Sequence, residues 1–171
     1  MTKIGPLLIG IAAATFIAML PSPTNAVGTA RGSVKVTING AHISIGYGRP
    51  ALQGRDMLRQ IHPGQLWHIG ADVPATVVSD KELNFGGTIV PRGKHTLMAR
   101  LVTPGRWTLV FSSLSGPQTR PSVKYIETPA TLQETSDSIE SVTIQLTDKG
   151  GTGIIEIAWG RMRLSASFTP A

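Results

Sequence analysis

Four side chains of this sequence are of types that do chemistry and are spaced so that a fold can gather them: His62, His68, Asp72 and His95, the first three falling within eleven positions. Imidazole and carboxylate ligate zinc and similar metals, and the same groups serve a hydrolase as general base and acid. The spacing His-x5-His-x3-Asp matches no metal signature, and an unpatterned histidine is more often a hydrogen-bonded structural group, so no metal or cofactor is assigned. If residues 67–72 are extended, His68 and Asp72 share a face; a bend at Gly70 removes that relation.

A second set is cationic. Arg49 and Arg55 each present a planar fork of donors suited to carboxylate, phosphate or paired hydroxyls, and Trp67 or Tyr47 could stack on a sugar ring. A pairing of Arg55 with Asp72 would give the same residues a purely structural task. The leading reading is a non-catalytic site for an envelope glycan or another anionic ligand, built from Arg49, Arg55, Trp67, His68, Asp72 and His95. The alternatives are a periplasmic hydrolase using His68, Asp72 and His95, or a protein-interaction module.

Other chemistries find little footing. The chain has no cysteine, it has no Gly-x-Ser-x-Gly elbow, and its serines concentrate in residues 112–122 and 136–141, which read as solvated loops. Among Asp56, Asp72, Asp80, Glu82, Glu127 and Glu156 no spacing singles out a pair for glycoside hydrolysis. Trp67, Trp107 and Trp159 are read first as core.

The elements that must position these residues are strands. Val34, Val36 and Ile38 alternate with polar residues, Asn39-Gly40 signals a two-residue hairpin turn, and Ile43, Ile45 and Tyr47 line one face of the next strand. Residues 46–76 then form a long connection carrying most of the candidate chemistry. It holds the only helical turn expected, over residues 55–61, closed by a type II turn at Pro63-Gly64.

From residue 75 onward, strands over 75–79, 82–85, 88–90, 94–102 and 106–112 are separated by Gly and Pro turns. Residues 114–129, with three prolines, read as an excursion containing a short strand at 123–126. Strands at 139–146, 153–159 and 162–168 close the chain, the last two joined by a Gly-X hairpin turn at Gly160-Arg161. The pattern predicts an all-β fold, an antiparallel β-sandwich with a barrel-like variant open, and one long connection containing a short helical turn.

The first residues stand apart. Lys3 precedes an apolar run over residues 4–20, and a Pro-Ser-Pro-Thr-Asn-Ala stretch ends at Ala26, the layout of a signal peptide cleaved after Ala26 or Ala30. The run sits at the short end of what spans a bilayer, which leaves a retained anchor as the alternative. The expectation is an exported protein, periplasmic or extracellular, with one domain over residues 27–171 and no stable membrane insertion. Removing the leader with Lys3 leaves fifteen basic against ten acidic residues, a net charge of +5. This excess suits an anionic partner. The basic residues are scattered rather than striped with aromatics, which argues against nucleic acid. Oligomeric state and sheet order are left open.

In order, Gly48-Arg49-Pro50, Gly54-Arg55, Pro63-Gly64, Trp67-x-x-Gly70-Ala71-Asp72, Thr76, Gly93, Leu97, Pro104, Trp107 and Glu156-x-x-Trp159-Gly160 resemble a family of exported bacterial proteins known as domain of unknown function 2911. The resemblance runs from about Val34 to Phe168 and implies an exported, mainly β domain without an assigned activity. The family's usual Trp-Arg-Thr-Gly-Ala-Asn is replaced here by Trp67-His68-Ile69-Gly70-Ala71-Asp72, and its usual Tyr by His95.

Overall fold

Alternating apolar and polar residues build nearly all of this fold. In the computed structural model, which describes residues 30–70, 72–115 and 122–171, ten strands and one short helix follow each other along the chain. They are β1 (Arg31–Ile38), β2 (Ala41–Gly48), α1 (Met57–Gln60), β3 (Leu66–His68), β4 (Thr76–Ser79), β5 (Leu83–Phe85), β6 (Thr88–Val90), β7 (Gly93–Thr103), β8 (Arg106–Ser115), β9 (Ser122–Lys149) and β10 (Thr152–Pro170). The leader expected over residues 1–26 lies outside the described residues. Among those described, no helix is long and apolar enough to cross a membrane.

Every pairing is antiparallel, in the order β1-β2-β4-β7-β8-β9-β10-β5-β6, with β3 attached to β7 beside β4. The β1–β2 hairpin turns at Asn39-Gly40, where φ is positive at both residues. The expected type II turn is present too: the Gln65 amide donates to the His62 carbonyl at 3.1 Å, with Gly64 at φ +83°. Helix α1 is shorter than its expected span. The Asp56 carboxylate caps it by accepting from the Leu58 amide.

Two segments depart from the sequence reading. Of the excursion expected over residues 114–129, residues 114–115 belong to β8, 116–121 lie outside the described residues, and 122–129 belong to the long strand β9, which also takes up the loop expected over 136–141. It pairs with β8 as far as Ala130 and with β10 from Thr131 onward, so Pro129 stands next to the change of partner. The hairpin turn expected at Gly160-Arg161 is likewise absent, because Gly160, at φ +58°, lies inside β10. Between the pairs Ala158–Thr143 and Met162–Glu134, β10 advances four residues while β9 advances nine. The surplus in β9 makes a large bulge, which bends a paired ribbon sharply.

That bend folds β10 over. A Cβ added at Gly153 would strike the ring of Phe168, fifteen residues further along the same strand. The sheet therefore encloses a core in the manner of a sandwich. Phe85 packs against Phe111 and Phe168 at centroid separations of 5.2 and 5.3 Å, and Ile43, Ile45, Leu97, Leu109, Ile155 and Ile157 are buried around them.

The sheet does not close into a barrel. β1 and the second half of β9 face each other without a ladder, and the open seam is bridged from β2 and the chain just behind it. The Tyr47 hydroxyl accepts from the Ile144 amide at 3.0 Å and donates to the Ile144 carbonyl at 3.4 Å. Residues 50–52 run antiparallel to 140–142: the Leu52 amide donates to the Glu140 carbonyl, the Val142 amide to the Pro50 carbonyl, and Ala51 bridges Ser141.

Candidate functional site

The long connection leaves β2 at Gly48 and returns to the sheet at β4, crossing itself on the way. Gly48 donates its amide to the Val73 carbonyl at 3.0 Å, and a Cβ at Gly48 would collide with the Gly70 carbonyl oxygen. Gly70, at φ +93°, has no room either, since its Cβ would meet the Val73 carbonyl oxygen. Backbone-to-backbone contact at this crossing is thus reserved for glycine. The bend at Gly70 also ends the extended run that began in β3, so His68 and Asp72 do not share a strand face.

Within this frame the six expected site residues separate. Arg49 belongs to the seam: its Nε donates to the Val142 carbonyl at 3.1 Å and its Nη2 to the Thr143 hydroxyl at 3.3 Å. His95 lies on the core face of β7 and is buried, with Nε2 at 2.8 Å from the Pro91 carbonyl and Nδ1 without a partner. His68 pairs with Met98 across β3 and β7, and three residues along β7 separate Met98 from His95, so the two histidines point to opposite faces of the sheet. His68 and Asp72 are exposed.

Arg55 and Trp67 come together around a third residue, Trp159. Trp67 stacks on Trp159 with centroids 5.9 Å apart and rings 13° from parallel. The Arg55 guanidinium lies 5.4 Å from the Trp159 ring centroid, a cation–π arrangement. Its Nε and Nη2 donate to the carbonyls of Leu52 and Ala51 at 2.9 and 2.7 Å, which holds the fork in one orientation. The connection is fixed at this point by its own carbonyls and by an indole ring.

Beside this group lies a cleft of about 220 Å³, between residues 52–58 and the bend of β10. Leu52, Met57, Leu58 and Met162 give it apolar walls, and Arg55, Asp56, Glu134 and Arg161 give it charge. Arg161 Nη2 reaches Glu134 Oε1 at 3.4 Å, and Arg59 Nε reaches Asp56 Oδ2 at 3.2 Å. Trp159 is 4 % exposed and its indole Nε1 is buried without a hydrogen-bond partner.

Glu134, Trp159 and Arg161 are not among the site residues expected from sequence, Trp159 being expected in the core. Trp159 and Arg161 flank Gly160 and were read there as strand end and turn, and only the bulge brings Glu134 alongside them. Among the described residues, no group of three or more His, Cys, Asp or Glu side chains could hold a metal ion. Chemically the cleft offers an oriented guanidinium, a second arginine, two carboxylates and an apolar wall.

Comparison with curated proteins gives no match, and neither does comparison with solved structures. The pattern of the family described as "Protein of unknown function (DUF2911)" matches residues 29–168. That span takes in β1 through most of β10 and the whole connection that builds the cleft, and the chain belongs to this family.

Proposed function

We propose that this chain is an exported binding domain without catalytic activity, and that it takes a small anionic ligand, such as an acidic sugar of an envelope glycan, in the cleft between residues 52–58 and β10. The observation that carries the reading is Arg55. Two of its nitrogens are tied to carbonyls of its own loop and its face rests over Trp159, so the guanidinium is oriented before any ligand arrives. An oriented fork loses little freedom on binding a carboxylate, which favours affinity. The opposite facings of His68 and His95 deprive a hydrolase of a shared acid–base pair and so lend support to binding.

Glucuronate, inorganic phosphate and glucose serve as probes, followed by tryptophan fluorescence and calorimetry, since two of the three tryptophans adjoin the cleft. Glucuronate is expected to bind saturably and glucose not at all. Arg55→Ala is expected to weaken glucuronate at least about tenfold, the worth of a charged hydrogen bond, and to change stability by less than about 1 kcal/mol. Absence of saturable binding by either anion, or equal binding by Arg55→Ala, overturns the reading. Export is checked by the mass of the chain recovered from its native cells, expected to begin at Val27.

A further inference from the structure

Of the glycines inside the strands, three are explained by close neighbours and two, Gly93 and Gly160, by a positive φ, while Gly46 has neither reason. A Cβ at Gly32 would strike the Tyr47 ring, one at Gly48 the Gly70 carbonyl, and one at Gly153 the Phe168 ring. Gly46 lies in the regular part of β2, its φ is outside the left-handed region, and among the described residues nothing stands within 4 Å of where its Cβ would be. Glycine inside a strand costs about 0.5–1 kcal/mol relative to alanine. In a regular strand where no described protein atom demands it, such a glycine often marks a site where a ligand or another backbone approaches closely.

Gly46 floors an open trough on the outer face of the sheet. Ser33, Gly46 and Thr76 stand opposite one another across β1, β2 and β4, and Lys35, Ser44, Val78 and Lys94 form the next row, continuing onto β7. Two depressions of about 550 Å³ each share Ser44 and Val78 and so join into one channel. At roughly 3.3 Å per residue, the channel runs about 20 Å along β1 from Arg31 to Thr37. Lys35 and Lys94 stand three strand spacings apart, roughly 14 Å, on its two sides.

The charge is one-sided. Arg31, Lys35 and Lys94 line the trough, are exposed, and make no ion pair among the described residues. Among the described residues the one carboxylate lining it, Asp80, accepts the His42 amide at 2.8 Å. The floor's backbone groups are engaged in ladders with neighbouring strands, so an added peptide strand finds no pairing there. What the floor does offer is hydroxyls, at Ser33, Ser44 and Thr76, and the partly exposed methyls of Val78. Among the described residues lining the trough the one aromatic ring besides the His42 imidazole, that of Tyr47, is buried, so no Phe, Tyr or Trp ring is exposed on which a nucleic-acid base could stack.

We infer that this trough is a second binding surface, separate from the cleft, for a linear carboxylated polysaccharide. The chain lies flat over Gly46, its hydroxyls meet Ser33, Ser44 and Thr76, and its carboxylates are neutralised by the cations on both walls. No residue is shared with the cleft, so either surface can fail without the other.

The experiment is calorimetry on the folded, untagged chain with oligogalacturonate, dextran and polyphosphate, at low and physiological salt. Oligogalacturonate is expected to bind, more weakly as salt screens the cations, and dextran to give no heat. Gly46→Gln places a side chain on the floor at a position whose Cβ meets no described protein atom within 4 Å. It is expected to melt no lower than the unaltered chain and to bind oligogalacturonate at least about tenfold more weakly. Lys35→Glu with Lys94→Glu reverses two exposed charges and is expected to lose binding by a similar factor. Arg55→Ala is expected to retain it. Undiminished binding by Gly46→Gln or the double charge reversal, equal binding of dextran, or binding of polyphosphate alone overturns the proposal.

Discussion

Tyr47 shows how much of this fold rests on one polar atom. Its ring lies in the core against Gly32, and its hydroxyl occupies the open seam with the Ile144 amide as donor and the Ile144 carbonyl as acceptor. Tyr47→Phe keeps the ring and leaves those buried backbone groups without a partner, an expected loss of about 1–3 kcal/mol in urea unfolding. A change near zero would mean that water reaches the seam. His95 makes the complementary point about legibility. From sequence it was a candidate site residue beside His68, because an imidazole in a strand carries no sign of which face is covered. The register of β3 against β7 decides that, and a single-residue difference in register exchanges the two faces.

At the scale of elements, Arg49 and Arg55 have the same residue type, six positions apart, and opposite assignments. Arg49 donates to Val142 and Thr143 and stitches β9 to the end of β2, whereas Arg55 is held by its own loop at the cleft. Arg49→Ala is expected to lower stability by about 1–3 kcal/mol while leaving glucuronate affinity within about twofold, the reverse of Arg55→Ala. Chemical denaturation with calorimetry on both variants checks the contrast, and similar behaviour of the two would erase it. The strands that alternate cleanly, such as β1 and β2, could be read from the sequence because one face is buried and the other wet. β3 could not, since Leu66-Trp67-His68 is too short to establish a period. β9 is legible only over 123–126 and 139–146, because Pro129 and the serines of 136–141 suggest loops between them; Pro129 is tolerated next to the change of partner after Ala130.

For the whole molecule, the decisive feature is the bend of the β9–β10 ribbon, which makes a sandwich from what would otherwise be an open sheet. It brings Gly153 against Phe168, carries Ile144 to Tyr47, and places Trp159 and Arg161 beside the connection. Two glycines of β10 and its hairpin have nearly the same φ: Gly150 at φ +63° in the turn, and Gly160 at φ +58° in the bend. A branched side chain is strained at either. At Gly150 the turn is exposed and has space, so the chain can relax locally. At Gly160 the ladder pairs Ala158–Thr143 and Met162–Glu134 fix the strand on both sides, and Leu52 covers it. Gly160→Val is therefore expected to lose at least about 2 kcal/mol more stability than Gly150→Val, since it must keep the strain or unbend the ribbon. It should also weaken glucuronate binding, which Gly150→Val should not. Equal losses in urea unfolding would show that the bend is held by the β9 bulge alone, with glycine incidental to it.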